Sequence, residues 1–197
     1  MKRLIFHFDP VSPFAFLAFE RLPEALEGCS YHVDYRPVLL AGLLEVWGQT
    51  GPAEIEPKRE WTFRQVAWLA RRLSIPLQVP GPHPFNSLPL QRLALASAAP
   101  GELPNRWVVE TLMRHVWQAE GADPNDGRRL ASLQQALQPL RDPQDPVVQD
   151  ELRQELRRST ELAVARGVFG VPSIEHDGLQ YWGLDALPML REAITAD

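Results

Sequence analysis

Ser12 lies in Phe8-Asp9-Pro10-Val11-Ser12-Pro13-Phe14, where an apolar run ends and a helical pattern begins. Serine is a good N-cap, and proline suits the first helical position. A hydroxyl there stands beside free backbone N–H groups and the positive end of a helix dipole. An anion such as a thiolate would be stabilised there, with Ser12 donating a hydrogen bond to it. Ser-Pro is equally ordinary capping chemistry, and both readings stand. Val171-Pro172 is a second candidate. A proline just before a strand is either trans at an edge or cis in a tight turn. A cis bond would leave the Val171 N–H and C=O open to an extended, peptide-like ligand. The third candidate is Trp182-Gly183-Leu184-Asp185, which places Asp185 in the first turn of the last helix. There it either caps the helix or binds a ligand ammonium. Lys58 is a surface lysine unless the fold returns it over Ser12. His83, in a proline-rich stretch, reads as a loop residue. Trp61, Trp68, Trp107 and Trp117 fall at helical positions and read mostly as core, with the option of walling an aromatic pocket.

Other chemistries are excluded by composition. The single cysteine, Cys29, allows neither an intrachain disulfide nor a Cys-x-x-Cys redox pair. The five histidines show no metal-ligand spacing, so no metal is expected. The net charge of -5, with basic residues scattered along helices, argues against nucleic acid and anionic membrane. Asp9 and Pro10 end the first apolar run too soon for a signal peptide, and no window suits a membrane span. The N-terminal run therefore reads as a strand and the protein as cytoplasmic.

These residues need elements to hold them. Lys2 to Asp9 reads as a strand, Phe14 to Leu22 as a helix interrupted at Pro23, and Tyr31 to Leu39 as a second strand. Gly42 to Pro57 reads as irregular. Helices are expected over Trp61–Leu73, Leu90–Ala99, Trp107–Ala119, Arg128–Gln138 and Val147–Arg166, with a loop over Ile75–Pro89. The chain then returns to strands joined by Asp177-Gly178, a hairpin signal, and ends in a helix over Leu184–Ile194. The simplest solution is an α/β sheet built from both ends, residues 1–40 and 168–197, with residues 41–167 inserted as a helical domain.

In combination these segments resemble the 2-hydroxychromene-2-carboxylate isomerase family, close to the kappa-class glutathione transferases and the periplasmic disulfide oxidases. The resemblance spans nearly the whole chain. It rests on Phe8-Asp9 through Ser12-Pro13-Phe14 with Leu17-Ala18, on Phe169-Gly170-Val171-Pro172, and on Trp182-Gly183-x-Asp185. Gly48-x-Thr50-Gly51-Pro52 followed by Lys58, Ile75-Pro76-Leu77 and Asn86-Ser87 add support. The resemblance implies a thioredoxin-like fold with a large inserted helical domain, a homodimer, and glutathione as cofactor. Ser12 would hydrogen-bond the sulfur, and a cis Pro172 with the Val171 backbone would pair with the cysteinyl part. Asp185, with the Leu184 backbone, would hold the γ-glutamyl end, and Lys58 would add positive charge. The implied activity is isomerisation of 2-hydroxychromene-2-carboxylate to trans-o-hydroxybenzylidenepyruvate, or of a related substrate in aromatic catabolism. The alternatives are a kappa-like transferase acting on another electrophile and a non-catalytic thioredoxin-fold binding protein. Three positions depart from the family pattern: Gln49 for asparagine, Gln65 for aspartate and Ala186 for arginine.

Overall fold

A computed structural model of the chain describes residues 1–119 and 121–196; Glu120 and Asp197, the last residue of the expected C-terminal half, lie outside them. Strand β1 (Lys2–Phe8) leads through a tight turn into α1 (Pro13–Ala25) and back to β2 (Tyr31–Pro37). β1 and β2 pair in parallel, from Lys2 opposite Tyr31 to Phe8 opposite Pro37. The chain returns to the sheet at β3 (Ser173–His176), antiparallel to β1, and β4 (Leu179–Trp182), antiparallel to β3. The sheet order is β2-β1-β3-β4, so β1 is central and joins the two ends of the chain. The β3–β4 turn is made by Asp177 and Gly178, with φ of 47° and 77°, the left-handed pair that a two-residue hairpin requires.

Between β2 and β3 lie α2 (Leu40–Val46), a short 3₁₀ turn (Pro52–Glu54), α3 (Glu56–Arg72), α4 (Leu88–Ala96), α5 (Arg106–Trp117), α6 (Gly127–Leu137) and α7 (Pro146–Ala165). A second 3₁₀ turn, Leu184–Ala186, precedes α8 (Leu187–Thr195). This is a mixed-sheet thioredoxin-like core carrying a largely helical insertion.

The alternation of β1 sends Leu4, Phe6 and Phe8 to one face, where they meet Phe16, Phe19 and Leu22 of α1. Phe6, Phe19 and Tyr35 form an aromatic triangle with centroids 5.5–6.3 Å apart. The same cluster continues into the insertion through Val66, Leu90, Leu112 and Leu133. A smaller cluster of Val38, Leu43, Ala163, Val168 and Val171 packs behind the end of β2.

Two expectations are corrected. Residues 42–57 are not irregular throughout, because α2 occupies their first part. Its only buried residue is Leu43, and a helix of seven residues is too short to show a period. The last helix begins at Leu187 rather than Leu184, with a 3₁₀ turn before it.

Candidate functional site

The turn from β1 into α1 has nearly every polar group committed, which gives it one shape. The Ser12 N–H donates to the Asp9 carbonyl at 3.0 Å. The Ser12 hydroxyl accepts from the Ala15 N–H at 3.2 Å, so serine caps the helix as its type suggests. The Pro10 carbonyl accepts from the Trp117 indole N–H at 2.9 Å, and the Val11 carbonyl lies 2.8 Å from His83 Nε2. Side chains from the insertion thus hold two successive carbonyls of the turn.

Beneath it sits Asp9, only 1% exposed. Its carboxylate accepts from Val11 N–H at 3.0 Å, Leu40 N–H at 2.9 Å and Ser87 Oγ at 3.1 Å. It therefore binds together the end of β1, the start of α2 and the start of α4. Burial pushes the Asp9 carboxyl above the usual aspartate range, against the opposing pull of these hydrogen bonds. Gln91, fully buried beside it, donates from Nε2 to the carbonyls of Val38, at 2.7 Å, and Phe8, at 3.4 Å.

Ser12 also donates its single O–H to the Val171 carbonyl at 3.3 Å, across 159 residues of sequence. The Val171–Pro172 peptide is cis. Of the two Val171 groups expected to lie open, the carbonyl is already taken by Ser12, and the residue itself is buried. The Pro172 carbonyl in turn accepts from Gly183 N–H at 2.9 Å, tying this turn to Leu184 and Asp185. Gly183 has φ of 94°, and a Cβ placed there would lie 2.5 Å from Asp185 Oδ1.

Asp185 does not cap α8. It is exposed, and among the described residues its carboxylate has no hydrogen-bonding or ionic partner. It lines a groove of about 330 Å³ with Leu69 of α3, Leu73 just past the end of that helix, Arg21 of α1 and Arg191 of α8. Lys58 is also exposed, in the first turn of α3, and likewise has no partner among the described residues. Lys58 precedes Leu69 by eleven residues, roughly 16 Å along a helix axis. The fold therefore joins Ser12, Val171, Pro172 and the Leu184–Asp185 turn, while Lys58 and Asp185 stand toward opposite ends of α3.

The tryptophans are largely not core. Trp61, Trp68 and Trp107 are 57%, 53% and 53% exposed, and only Trp117 is fully buried. Arg64 and Arg72 lie over the rings of Trp61 and Trp68 at 4.8 and 5.9 Å, so cation–π contact replaces burial on α3. Of the departures from the family pattern, Gln65 is exposed on α3 and Ala186 is buried against the main core. The structural weight of Asp9, His83 and Ser87 had no local signal, since their partners are up to 78 residues away.

The chain matches the model of the DSBA-like thioredoxin domain over residues 3–195. It is 27% identical to a 2-hydroxychromene-2-carboxylate isomerase of Sphingobium xenophagum over 193 residues, covering 96% of each chain. Glutathione S-transferase kappa 1 of Rattus norvegicus is 24% identical, with 93% of this chain and 86% of the relative covered. A solved 2-hydroxychromene-2-carboxylate isomerase superposes with a TM-score of 0.81 at 25% identity, covering 98% of this chain and 95% of the other. These matches agree with the serine-capped turn, the cis Pro172 and the thioredoxin-like sheet: the chain belongs to the DSBA-like thioredoxin domain family and, within it, is homologous to the 2-hydroxychromene-2-carboxylate isomerases and kappa-class glutathione transferases.

Proposed function

We propose that this protein is a cytoplasmic, glutathione-dependent enzyme that isomerises 2-hydroxychromene-2-carboxylate or a related conjugated aromatic substrate. The observation that carries the reading is the contact between Ser12 Oγ and the Val171 carbonyl, which brings the helix start and the cis-proline turn to one point. The donor set suits glutathione. An unpartnered Asp185 carboxylate matches its ammonium, the Val171 and Leu184 backbones match its peptide groups, and Lys58 supplies a cation for its carboxylates. Glutathione bound there would supply a thiolate nucleophile for an electrophilic carbon of the substrate.

The chain's own contribution is electrostatic. The Ser12 hydroxyl has one proton, now directed at Val171, and a thiolate would compete for it. A hydrogen bond to a charged group is worth more than one to a neutral carbonyl, so the exchange favours the thiolate. Ala15 N–H holds the hydroxyl in place throughout, and the dipole of α1 adds positive potential at the same end. Both effects lower the thiol pKa. The reading also carries a homodimer, supported by the exposed Trp61, Trp68 and Trp107, since Trp and Arg are enriched at interface hot spots. Light scattering tests that part.

The decisive test is glutathione binding by calorimetry in wild type, Ser12→Ala and Asp185→Ala, followed by assay with the chromene. Asp185→Ala is expected to weaken binding about tenfold, the loss of one charge-assisted hydrogen bond at an exposed site. Ser12→Ala is expected to raise the bound thiol's pKa. No binding by the wild type at millimolar glutathione refutes the cofactor assignment. Binding without turnover of the chromene moves the assignment to a kappa-like transferase.

A further inference from the structure

The geometry points to His83 as a positioning residue for Ser12, acting from the helical insertion through the Val11–Ser12 peptide; the inference rests on the reading of Ser12 as donor to a thiolate. His83 lies between α3 and α4, 72 residues from the carbonyl it meets. The Val11 carbonyl can only accept, so at 2.8 Å the imidazole Nε2 carries the proton and donates it. That carbonyl and the Ser12 N–H belong to one peptide plane. The N–H end is held by the Asp9 carbonyl at 3.0 Å, and the C=O end by His83. Rotating this plane would swing Ser12 Cβ, and with it the hydroxyl that faces Val171.

The surroundings of the ring show what the imidazole is for. Phe63, Trp117 and Phe85 enclose it with centroids 4.9, 5.8 and 6.1 Å away. With Nε2 protonated, Nδ1 is a bare acceptor, and it is buried without a partner. A phenyl ring would fill the same aromatic cage without leaving that nitrogen unsatisfied. The one thing the imidazole adds is the N–H on Val11. Burial keeps His83 below the ordinary histidine range, with the charge of Arg59 acting the same way and the Val11 hydrogen bond opposing. The ring stays neutral near pH 7 with its single proton committed to the turn. Trp117, in contact with it, holds the preceding carbonyl in the same manner, so the two rings form one clamp on consecutive peptides.

The test compares His83→Phe and His83→Gln in the full chain. His83→Phe keeps the aromatic packing and removes the donor; relief of the buried Nδ1 offsets the lost bond to the Val11 carbonyl, so its melting temperature is expected to stay near that of wild type. Glutathione affinity is expected to change little, while the ratio of thiolate to thiol at neutral pH, read by ultraviolet absorbance, falls about threefold to tenfold. His83→Gln, with an amide donor of similar reach, is expected to restore most of it. A thiolate fraction in His83→Phe equal to wild type overturns the inference, as does a fall that His83→Gln leaves unrescued. Hydrogen exchange of the 9–16 segment without ligand gives a second readout. If the wild type binds no glutathione, the proposed function fails. Exchange then decides the clamp alone: faster exchange in His83→Phe supports it, and unchanged exchange overturns it.

Discussion

Replacing Asp9 by asparagine tests the buried support of the turn with almost no change in volume. The hydrogen bonds of 2.9–3.1 Å that reach the carboxylate all come from donors, two backbone N–H groups and the Ser87 hydroxyl, and the Gln91 amide beside it acts in the same sense. An asparagine has one acceptor oxygen. Placed where Oδ2 now stands, it keeps Leu40 and Ser87 and turns its own amide against the Val11 N–H. One hydrogen bond is lost and two donors face each other in a buried site, which costs about 1–3 kcal/mol. In a chain of this size that lowers the melting temperature by about 2–4 °C per kcal/mol. The pH dependence gives a second check. Because burial holds the Asp9 carboxyl above its unfolded value of 3.8, the unfolded chain ionises first as pH rises. Stability from this group is therefore complete below 3.8 and declines as pH rises through the folded value. Asparagine does not titrate, so the gap between wild type and Asp9→Asn should narrow as pH rises through that window. Urea denaturation across that pH range measures both effects. Equal stability of the two proteins would refute the hydrogen-bond assignment, and a gap that widens with pH would refute the view that burial outweighs these donors at Asp9.

His7, fully buried, is held neutral with its pKa lowered to about 3 by burial first and then by the charges of Arg36 and Arg166. Its contribution to stability is present above pH 6.5 and lost as pH falls toward 3, so His7→Phe should flatten the acid limb of a stability–pH curve; an unchanged limb contradicts this. Gly183→Ala forces a side chain into a left-handed backbone and against Asp185, so glutathione binding should weaken with little loss of fold; binding equal to wild type counts against the role of this turn. Arg141, 9% exposed, is paired bidentately with Glu155 at 2.6 and 2.9 Å and also donates to the Leu95 carbonyl. Glu155→Gln should cost about 2–4 kcal/mol by leaving a buried cation underpaired, and the double change with Arg141→Met should cost less. Chemical denaturation showing additive losses would disprove that coupling.

The legible parts of this molecule are those written in neighbouring residues. Ser12-Pro13 announces a capped helix start because capping is a local exchange of hydrogen bonds, and Asp177-Gly178 announces its hairpin because the turn demands left-handed backbone. The convergence of Ser12 on Val171 came from family resemblance, since no local pattern links positions 159 residues apart. The site's supports were invisible for the same reason: His83 looks like any loop residue until the connector folds against Val11. The exposed Trp61 and Trp68 misled because large aromatics usually lie inside, whereas here neighbouring arginines cover their faces. Lys58 and Asp185 take ligand roles only through the family resemblance, and only the fold reveals the length of α3 between them.

The central position of β1 has a consequence for the birth of the protein. One edge of that strand has its partner, β2, within the first forty residues, but the partner of the other, Ser173–His176, is made near the end of the chain. At ordinary ribosomal speeds that delay is on the order of ten seconds. Throughout it the nascent chain carries an unsatisfied strand edge, the kind of surface that recruits chaperones or stray β-segments. The inserted helices that complete the cluster around the apolar face of β1 are translated in the same interval, so that cover is available before the last strand partner is.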